Sequence, residues 1–214
     1  MDKTTVAKLR NNYLLNELSE NIVSKNPYIQ FSEWFKDALE AKLIEANAMV
    51  LSTIKEGRPS ARVVLLKGFD ENGFVFFTNY NSHKGQELAE NNAACLTFFW
   101  DKLERQVRIE GFMDKVSEQD SDAYYWSRPR ESQIGAWVSS QSEVISGRDI
   151  LDDKLAFYQN EFENLEVIPR PPHWGGYILK VQSIEFWQGR PNRLHDRILF
   201  TQEGDNWKIE RLSP

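Results

Sequence analysis

Short apolar runs closed by turn residues constrain this chain more than any other feature. Residues 48–54, 60–67, 74–78, 93–100, 105–115, 176–187, 197–202 and 207–212 each read as a strand. Their boundaries are clusters such as Lys55-Glu56-Gly57-Arg58-Pro59, Asp70-Glu71-Asn72-Gly73 and Gly204-Asp205-Asn206. The Asn72-Gly73 pair favours positive φ and therefore a tight turn. Within 105–115, Arg105, Val107, Ile109 and Gly111 alternate with Gln106, Arg108 and Glu110, which puts the two sets on opposite sheet faces. About eight mostly antiparallel strands in hairpin-like order predict a mainly β chain with inserted helices (α+β). An antiparallel barrel fits that order better than a doubly wound sheet.

The apolar period changes between these runs. Phe31, Trp34, Phe35, Ala38 and Leu39 form the stripe of an amphipathic helix, expected over 31–45 with Ser32 and Glu33 in its first turn. Ser82 is placed to cap a short helix, whose open N–H groups suit phosphate, beside His83 and Lys84. A third helix opens at Ser117 and breaks at Arg128-Pro129 before R-E-S-Q-I-G-A-W, and Leu151, Leu155, Tyr158 and Phe162 mark one more helical face. Near the start, Leu9, Tyr13, Leu14 and Leu18 have roughly helical spacing, and Arg10 and Tyr13 would share a face. The expected organisation is an arm with a short helix over 1–28, then a single domain over 29–214 with a helical insertion at about 117–164.

Charge and residue usage exclude several function classes. Lys plus Arg number 26 against 32 Asp plus Glu, a net charge of −6, which argues against general nucleic-acid binding. The single cysteine, Cys95, cannot form an internal disulfide, so a reducing compartment is expected. His83, His173 and His195 are scattered, so no metal site is expected. No Gly-x-Ser-x-Gly elbow, Walker-type loop or dinucleotide fingerprint occurs. With no basic start leading into an apolar run, and no apolar stretch of about 18 residues, the expectation is a cytoplasmic protein that does not enter a membrane.

The positive residues that remain are gathered in places. Residues 186–197 read F-W-Q-G-R-P-N-R-L-H-D-R, a cationic segment between strands, with Trp187 beside it. If its backbone is extended, Arg193 and His195 leave from one face. Arg62 and Lys67 lie on one strand, His83 and Lys84 at a helix start, Arg128 with Ser132, and Arg193, His195 and Arg197 on the last loop. Guanidinium groups pair with phosphate and stack on flat rings. Two such sets could hold two phosphates, which is what flavin mononucleotide plus a phosphorylated substrate would require.

At these residues the chain resembles the pyridoxamine 5′-phosphate oxidases, FMN enzymes of vitamin B6 metabolism and pyridoxine biosynthesis. The likeness runs over nearly the whole length through N-P-Y-I-Q-F-S-E-W-F, S-A-R-V-V-L-L-K, F-F-T-N-Y-N-S-H-K-G, R-Q-V-R-I-E-G, S-R-P-R-E-S-Q-I-G-A-W, S-S-Q-S, the 186–197 segment and the terminal E-R-L-S-P. The resemblance implies an FMN-binding split β-barrel working as a homodimer, with flavin sites at the subunit interface. It carries FMN contacts onto Arg62, Val63, Val64, Leu65, Leu66, Lys67, Phe77, Thr78, His83, Lys84, Gln106, Gln141, Ser142, Trp187 and Arg197. Many members have Arg where this chain has His83. Substrate contacts carry onto Lys67, Tyr124, Arg128 and Ser132 for a phosphate, and onto Arg193, Leu194 and His195 for the ring. Arg10 and Tyr13 match an arm that covers the substrate, and Arg193 and His195 take the catalytic positions.

The implied reaction is oxidation of pyridoxamine or pyridoxine 5′-phosphate by O2 to pyridoxal 5′-phosphate. A hydride passes from C4′ to flavin N5, and hydrogen peroxide forms. The alternatives are a non-catalytic flavin- or haem-binding split barrel, and a flavin oxidase of the phenazine type. Lys67, Tyr124, Arg128, Ser132 and the R-L-H triplet together favour the phosphate oxidase, since a mere binder has no need of them.

Overall fold

The structure is a computed structural model describing Thr5, Lys8, Leu9 and residues 12–214. Its elements in chain order are α1 (Pro27–Glu40), β1 (Ala48–Lys55), β2 (Arg58–Leu65), β3 (Gly68–Asp70), β4 (Gly73–Asn79), α2 (His83–Glu90), β5 (Ala93–Trp100) and β6 (Arg105–Lys115). Then follow α3 (Glu118–Ser127), α4 (Arg130–Val138), α5 (Asp149–Glu161), β7 (Trp174–Gln188), β8 (Asp196–Glu203) and β9 (Asn206–Arg211). The sheet is open, with neighbours in the order β2-β1-β5-β6-β7-β4-β3, and β8 pairs with both β7 and β9. The pairs β3–β4, β4–β7, β7–β8 and β8–β9 are antiparallel. The mainly β, mostly antiparallel architecture expected from the turn pattern is therefore present. The Asn72-Gly73 turn is there too, with Gly73 at φ 140°.

Contacts group the residues into two compact units. The first comprises Met1–Val50, Leu96–Glu110 and Val181–Pro214, the second Leu51–Cys95 and Gly111–Lys180. In the first, Phe31 and Trp34 of α1 are buried. Phe31 lies edge-on to Phe98 at 5.1 Å, Trp34 edge-on to Phe186 at 5.2 Å, and Phe186 edge-on to Phe200 at 5.6 Å. Edge-to-face pairs add to simple area burial because ring edges are positive and faces negative. The Trp100 indole N–H donates to the Ala46 carbonyl at 2.9 Å, so its polar atom is satisfied in the core. The second unit has its own apolar cluster of Tyr125, Ile134, Ala136, Val138, Phe162, Ile168 and Trp174.

Local chemistry explains where the helices differ from expectation. α1 begins at Pro27 rather than at 31, because the Asn26 side chain accepts from the Tyr28 and Ile29 amides and Pro27 fits the first helical position. It ends at Glu40 rather than 45, and Lys42 follows with a left-handed φ of 52°. The short helix expected near Leu9–Leu18 is not formed in the described part of that stretch: residues 12–26 carry no helix. The Leu14 and Leu15 amides donate to the Glu104 carboxylate at 2.9 and 3.1 Å, and the Leu18 amide to Asp196 at 3.0 Å. Amides engaged by distant carboxylates are unavailable for a helical ladder. Ser82 does cap α2, accepting from the Gly85 amide, and Ser117 caps α3 by accepting from Asp120.

Phe186 is fully buried among rings of α1 and β8. Phe186→Ala is expected to destabilise the protein by about 3–5 kcal/mol. Urea denaturation should show a lower midpoint with an unchanged slope.

Candidate functional site

The second unit holds a cavity of about 510 Å³, a size usual for small-molecule sites. Val63, Val64 and Leu65 of β2, then Lys67, form one wall, and Phe77 and Thr78 of β4 with Lys84 of α2 another. Tyr124, Arg128 and Ser132 close it from the helical segment, and Gln141 and Trp174 complete it. Lys67, Lys84 and Arg128 line this cavity, and no carboxylate is among the lining residues.

Aromatic rings form a slab on one side. Phe77 and Tyr124 stack at 3.9 Å with 17° between planes, and Trp174 lies within 14° of Phe77. The Arg128 guanidinium sits 4.7 Å from the Trp174 ring centroid, a favourable seat for a cation. Burial lowers the Arg128 pKa, while Tyr124 and Tyr125 oppose that shift. Its Nη1 is buried and has no hydrogen-bond partner among the described residues. A buried donor left open is costly, and an anionic acceptor in the cavity would satisfy it.

Lys84 is anchored by neutral oxygens. Its Nζ donates to Gln141 Oε1 at 2.7 Å, Thr78 Oγ1 at 3.2 Å and the capping Ser82 Oγ at 3.3 Å. Burial lowers its pKa and the Arg62 charge adds to the shift, with Glu87 opposing. A bound anion would oppose both causes by favouring the charged amine.

Arg62 lies outside the lining. Its Nη2 donates to Glu87 Oε2 at 2.6 Å and to Ser60 Oγ at 2.6 Å, and its Nη1 donates to Thr53 Oγ1. Thr53 in turn donates to Glu87 Oε2 at 2.6 Å. Burial alone would raise the Glu87 pKa, but the Thr53 and Arg62 hydrogen bonds outweigh it and hold the carboxyl below its ordinary value. Neither Thr53 nor Glu87 was marked by sequence reasoning. The available signal was a carboxylate on a helix whose buried face carries Gly85 and Leu88.

Leu66 is buried outside the cavity lining, His83 is exposed at the first position of α2, and exposed Ser142 takes a left-handed φ of 75°.

The remaining candidates belong to the first unit, except Arg10, which lies outside the described residues. The 189–195 loop is not extended: Pro191–Arg193 form a 3-10 turn, with Asn192 and Arg193 at φ 57° and 63°. The condition that would put Arg193 and His195 on one strand face is therefore not met. Arg193 and Leu194 are exposed. The Arg190 amide donates to His195 Nδ1 at 3.1 Å. The His195 ring lies 4.6 Å from Trp187 and 5.6 Å from Tyr13. Gly189 permits this, since a Cβ there would meet the Tyr13 ring at 2.6 Å. Burial lowers the His195 pKa, Arg193 adds to that, and Asp196 opposes.

Arg197 is held by Glu185 through Nε–Oε1 at 2.7 Å and Nη2–Oε2 at 3.1 Å, and it also donates to the Ser213 carbonyl. It lines a second cavity of about 800 Å³ with Arg108, Glu110 and Glu185. Gln106 is half-buried on β6, and neither it nor Trp187 lines that cavity. The candidates thus fall into two sets, one in each unit.

An open, mostly antiparallel sheet with inserted helices and a cation-lined pocket defines a split-barrel protein. A family model described as pyridoxamine 5′-phosphate oxidase matches residues 35–159, and one for the pyridoxine 5′-phosphate oxidase C-terminal dimerisation region matches 174–214. A pyridoxine/pyridoxamine 5′-phosphate oxidase of Nostoc sp. is 58% identical over 216 residues, covering 100% of both chains. One of Cupriavidus metallidurans is 55% identical, covering 99% of this chain and 100% of the relative. Among solved structures, PhzG from Burkholderia lata in complex with tetrahydrophenazine-1-carboxylic acid superposes with a TM-score of 0.86 at 28% identity, covering 94% of this chain and 99% of that one. An FMN-binding protein of Nostoc punctiforme shares the fold, with a TM-score of 0.69 at 17% identity over 90% of this chain and 100% of that one. The chain belongs to the pyridoxamine 5′-phosphate oxidase family. Among the described residues, no helix is long and apolar enough to cross a membrane.

Removing Glu87 strands the Arg62 charge. Glu87→Ala is expected to cost about 3 kcal/mol, lowering Tm by roughly 6–12 °C. A depressed carboxyl pKa stabilises the fold above its unfolded value, near 4.5, and that contribution fades as pH falls through the folded value. The stability gap between wild type and Glu87→Gln should therefore be widest above pH 4.5 and narrow in acid, as urea titrations across pH would show.

Proposed function

We propose that this chain is a cytoplasmic, FMN-dependent oxidase that converts pyridoxamine or pyridoxine 5′-phosphate to pyridoxal 5′-phosphate. O2 is reduced to hydrogen peroxide, and ammonia is released from the amine. The carrying observation is the cavity lined by Lys67, Lys84 and Arg128 without a carboxylate, holding the open Arg128 Nη1, in a member of this family.

The donor set fits both phosphates. Lys67, Tyr124, Arg128 and Ser132 would take the substrate phosphate, Arg128 offering Nη1. Thr78, Lys84 and Gln141, already joined by hydrogen bonds, would take FMN together with Ser142, the 63–65 wall backed by Leu66, and Phe77. Arg62, paired with Glu87 behind the wall, and His83 at the start of α2 would border that end. Bound FMN would supply the two-electron acceptor for the hydride leaving C4′. In a homodimer, Gln106, Trp187 and Arg197 of one copy would serve the flavin of the other. That arrangement is supported by the match of 174–214 to a dimerisation region. Arg193 would hold the pyridine ring, His195 its 3-oxygen, and Arg10 and Tyr13 would cover the bound substrate. Orientation of this kind supplies much of the rate in a transfer between stacked rings.

The test is oxygen consumption and peroxide release by FMN-loaded protein with pyridoxamine 5′-phosphate. Absence of turnover would reject the proposal. Turnover of a reduced phenazine carboxylate instead would assign the chain to the activity suggested by the PhzG likeness. Arg128→Ala should raise KM for the phosphorylated substrate about 10–100-fold, the loss of one charged contact. An unchanged KM would remove Arg128 from the phosphate site.

A further inference from the structure

We infer that the Arg190 backbone N–H fixes His195 as its neutral Nε2–H tautomer, so that the Arg193 and His195 side chains present only donors and take the ring 3-oxygen of the substrate as an anion. The tautomer follows from the geometry alone, and the identity of the oxygen rests on the function proposed above.

A backbone amide can only donate. At 3.1 Å from the Arg190 nitrogen, His195 Nδ1 must accept, so it carries no proton. In a neutral imidazole the proton then sits on Nε2. The amide is well held. The preceding Gly189 amide donates to the Glu104 carbonyl at 2.7 Å, and the Arg190 side chain reaches the Asn16 carbonyl at 3.1 Å, Asp196 at 3.4 Å and Glu17 at 3.5 Å. On the far side of the turn, the Leu194 amide donates to the Pro191 carbonyl at 3.1 Å. Trp187 and Tyr13 flank the imidazole, limiting its freedom to turn over.

Burial and the Arg193 charge act in the same sense. Arg193 opposes an imidazolium, as does burial, while Asp196 alone favours one and is itself paired with Arg190 and Arg211. Tyr13 and Trp187 contribute uncharged rings. Nε2 has no hydrogen-bond partner among the described residues.

The chemical consequence is direct. Arg193 has five donors and no acceptor, and neutral His195 adds one more donor at Nε2. A ring hydroxyl still carrying its proton would find no acceptor on either side chain, whereas its conjugate anion can accept from both. In this state His195 also has no free lone pair: Nδ1 is engaged and Nε2 is protonated. It therefore orients the ring and does not take the proton that the substrate gives up.

Three histidines make this measurable. FMN-loaded protein labelled with 15N-histidine, with His195→Asn used for assignment, is expected to show an unprotonated Nδ1 and a protonated Nε2 for His195 near neutral pH. A protonated Nδ1, or fast averaging of the two nitrogens, would overturn the inference even if pyridoxamine 5′-phosphate is still turned over. Added pyridoxal 5′-phosphate should shift the Nε2–H resonance, and its 3-O-methyl ether should bind about 10–100-fold more weakly. Equal binding would overturn the anionic-oxygen half. Failure of pyridoxal 5′-phosphate to bind, with the Nε2–H pattern intact, would overturn that half together with the proposed function and leave the tautomer standing.

Discussion

Positive charge without a counter-charge sets the terms for the second unit. Lys67, Lys84 and Arg128 line one cavity, and the nearby buried carboxylate, Glu87, is committed to Arg62 and Thr53. Burial and the neighbouring Arg62 charge both disfavour the Lys84 ammonium, and burial disfavours the Arg128 guanidinium. The fold tolerates this by anchoring Lys84, Arg128 and Arg62 in three different ways. Lys84 rests on neutral oxygens, Arg128 rests on an indole face, and Arg62 is neutralised outside the cavity wall. An anion entering the cavity meets groups already held in place, so little reorganisation opposes binding.

The aromatic slab gives that charge a direction. Phe77 comes from β4, Tyr124 from α3 and Trp174 from the start of β7, and their planes agree to within 17°. Antiparallel pairing of β4 with β7 sets Phe77 opposite Gly176, next to Trp174 opposite Asn79. Sheet register thus determines where flat surfaces face the cavity, and the caps at Ser82 and Ser117 determine where the helices bearing Lys84 and Tyr124 begin.

Much of this was legible in the residue order. The strand runs, the Asn72-Gly73 turn and the Ser82 cap depend on local chemistry, and each appears where that chemistry points. The cavity residues Lys67, Thr78, Lys84, Tyr124, Arg128 and Ser132 were legible through motif likeness rather than through physics, since strand period alone cannot say which cations meet. What stayed hidden depends on distant partners. Glu87 reads as an ordinary helix carboxylate until Arg62 and Thr53 are brought to it. The 12–18 segment has helical spacing, yet carboxylates from Glu104 and Asp196 capture its amides. Asn192 and Arg193 adopt left-handed backbone, which only asparagine among the two hints at in sequence.

Glu104 itself ties two stretches of the first unit to one residue. Its carboxylate receives the Leu14 and Leu15 amides, while its carbonyl receives the amide of Gly189 and the side chain of Gln188. Its own backbone is left-handed, at φ 55°. Arm and loop therefore share one anchoring residue, its carboxylate holding Leu14 and Leu15 and its carbonyl holding Gly189, so a disturbance at this position reaches both segments at once.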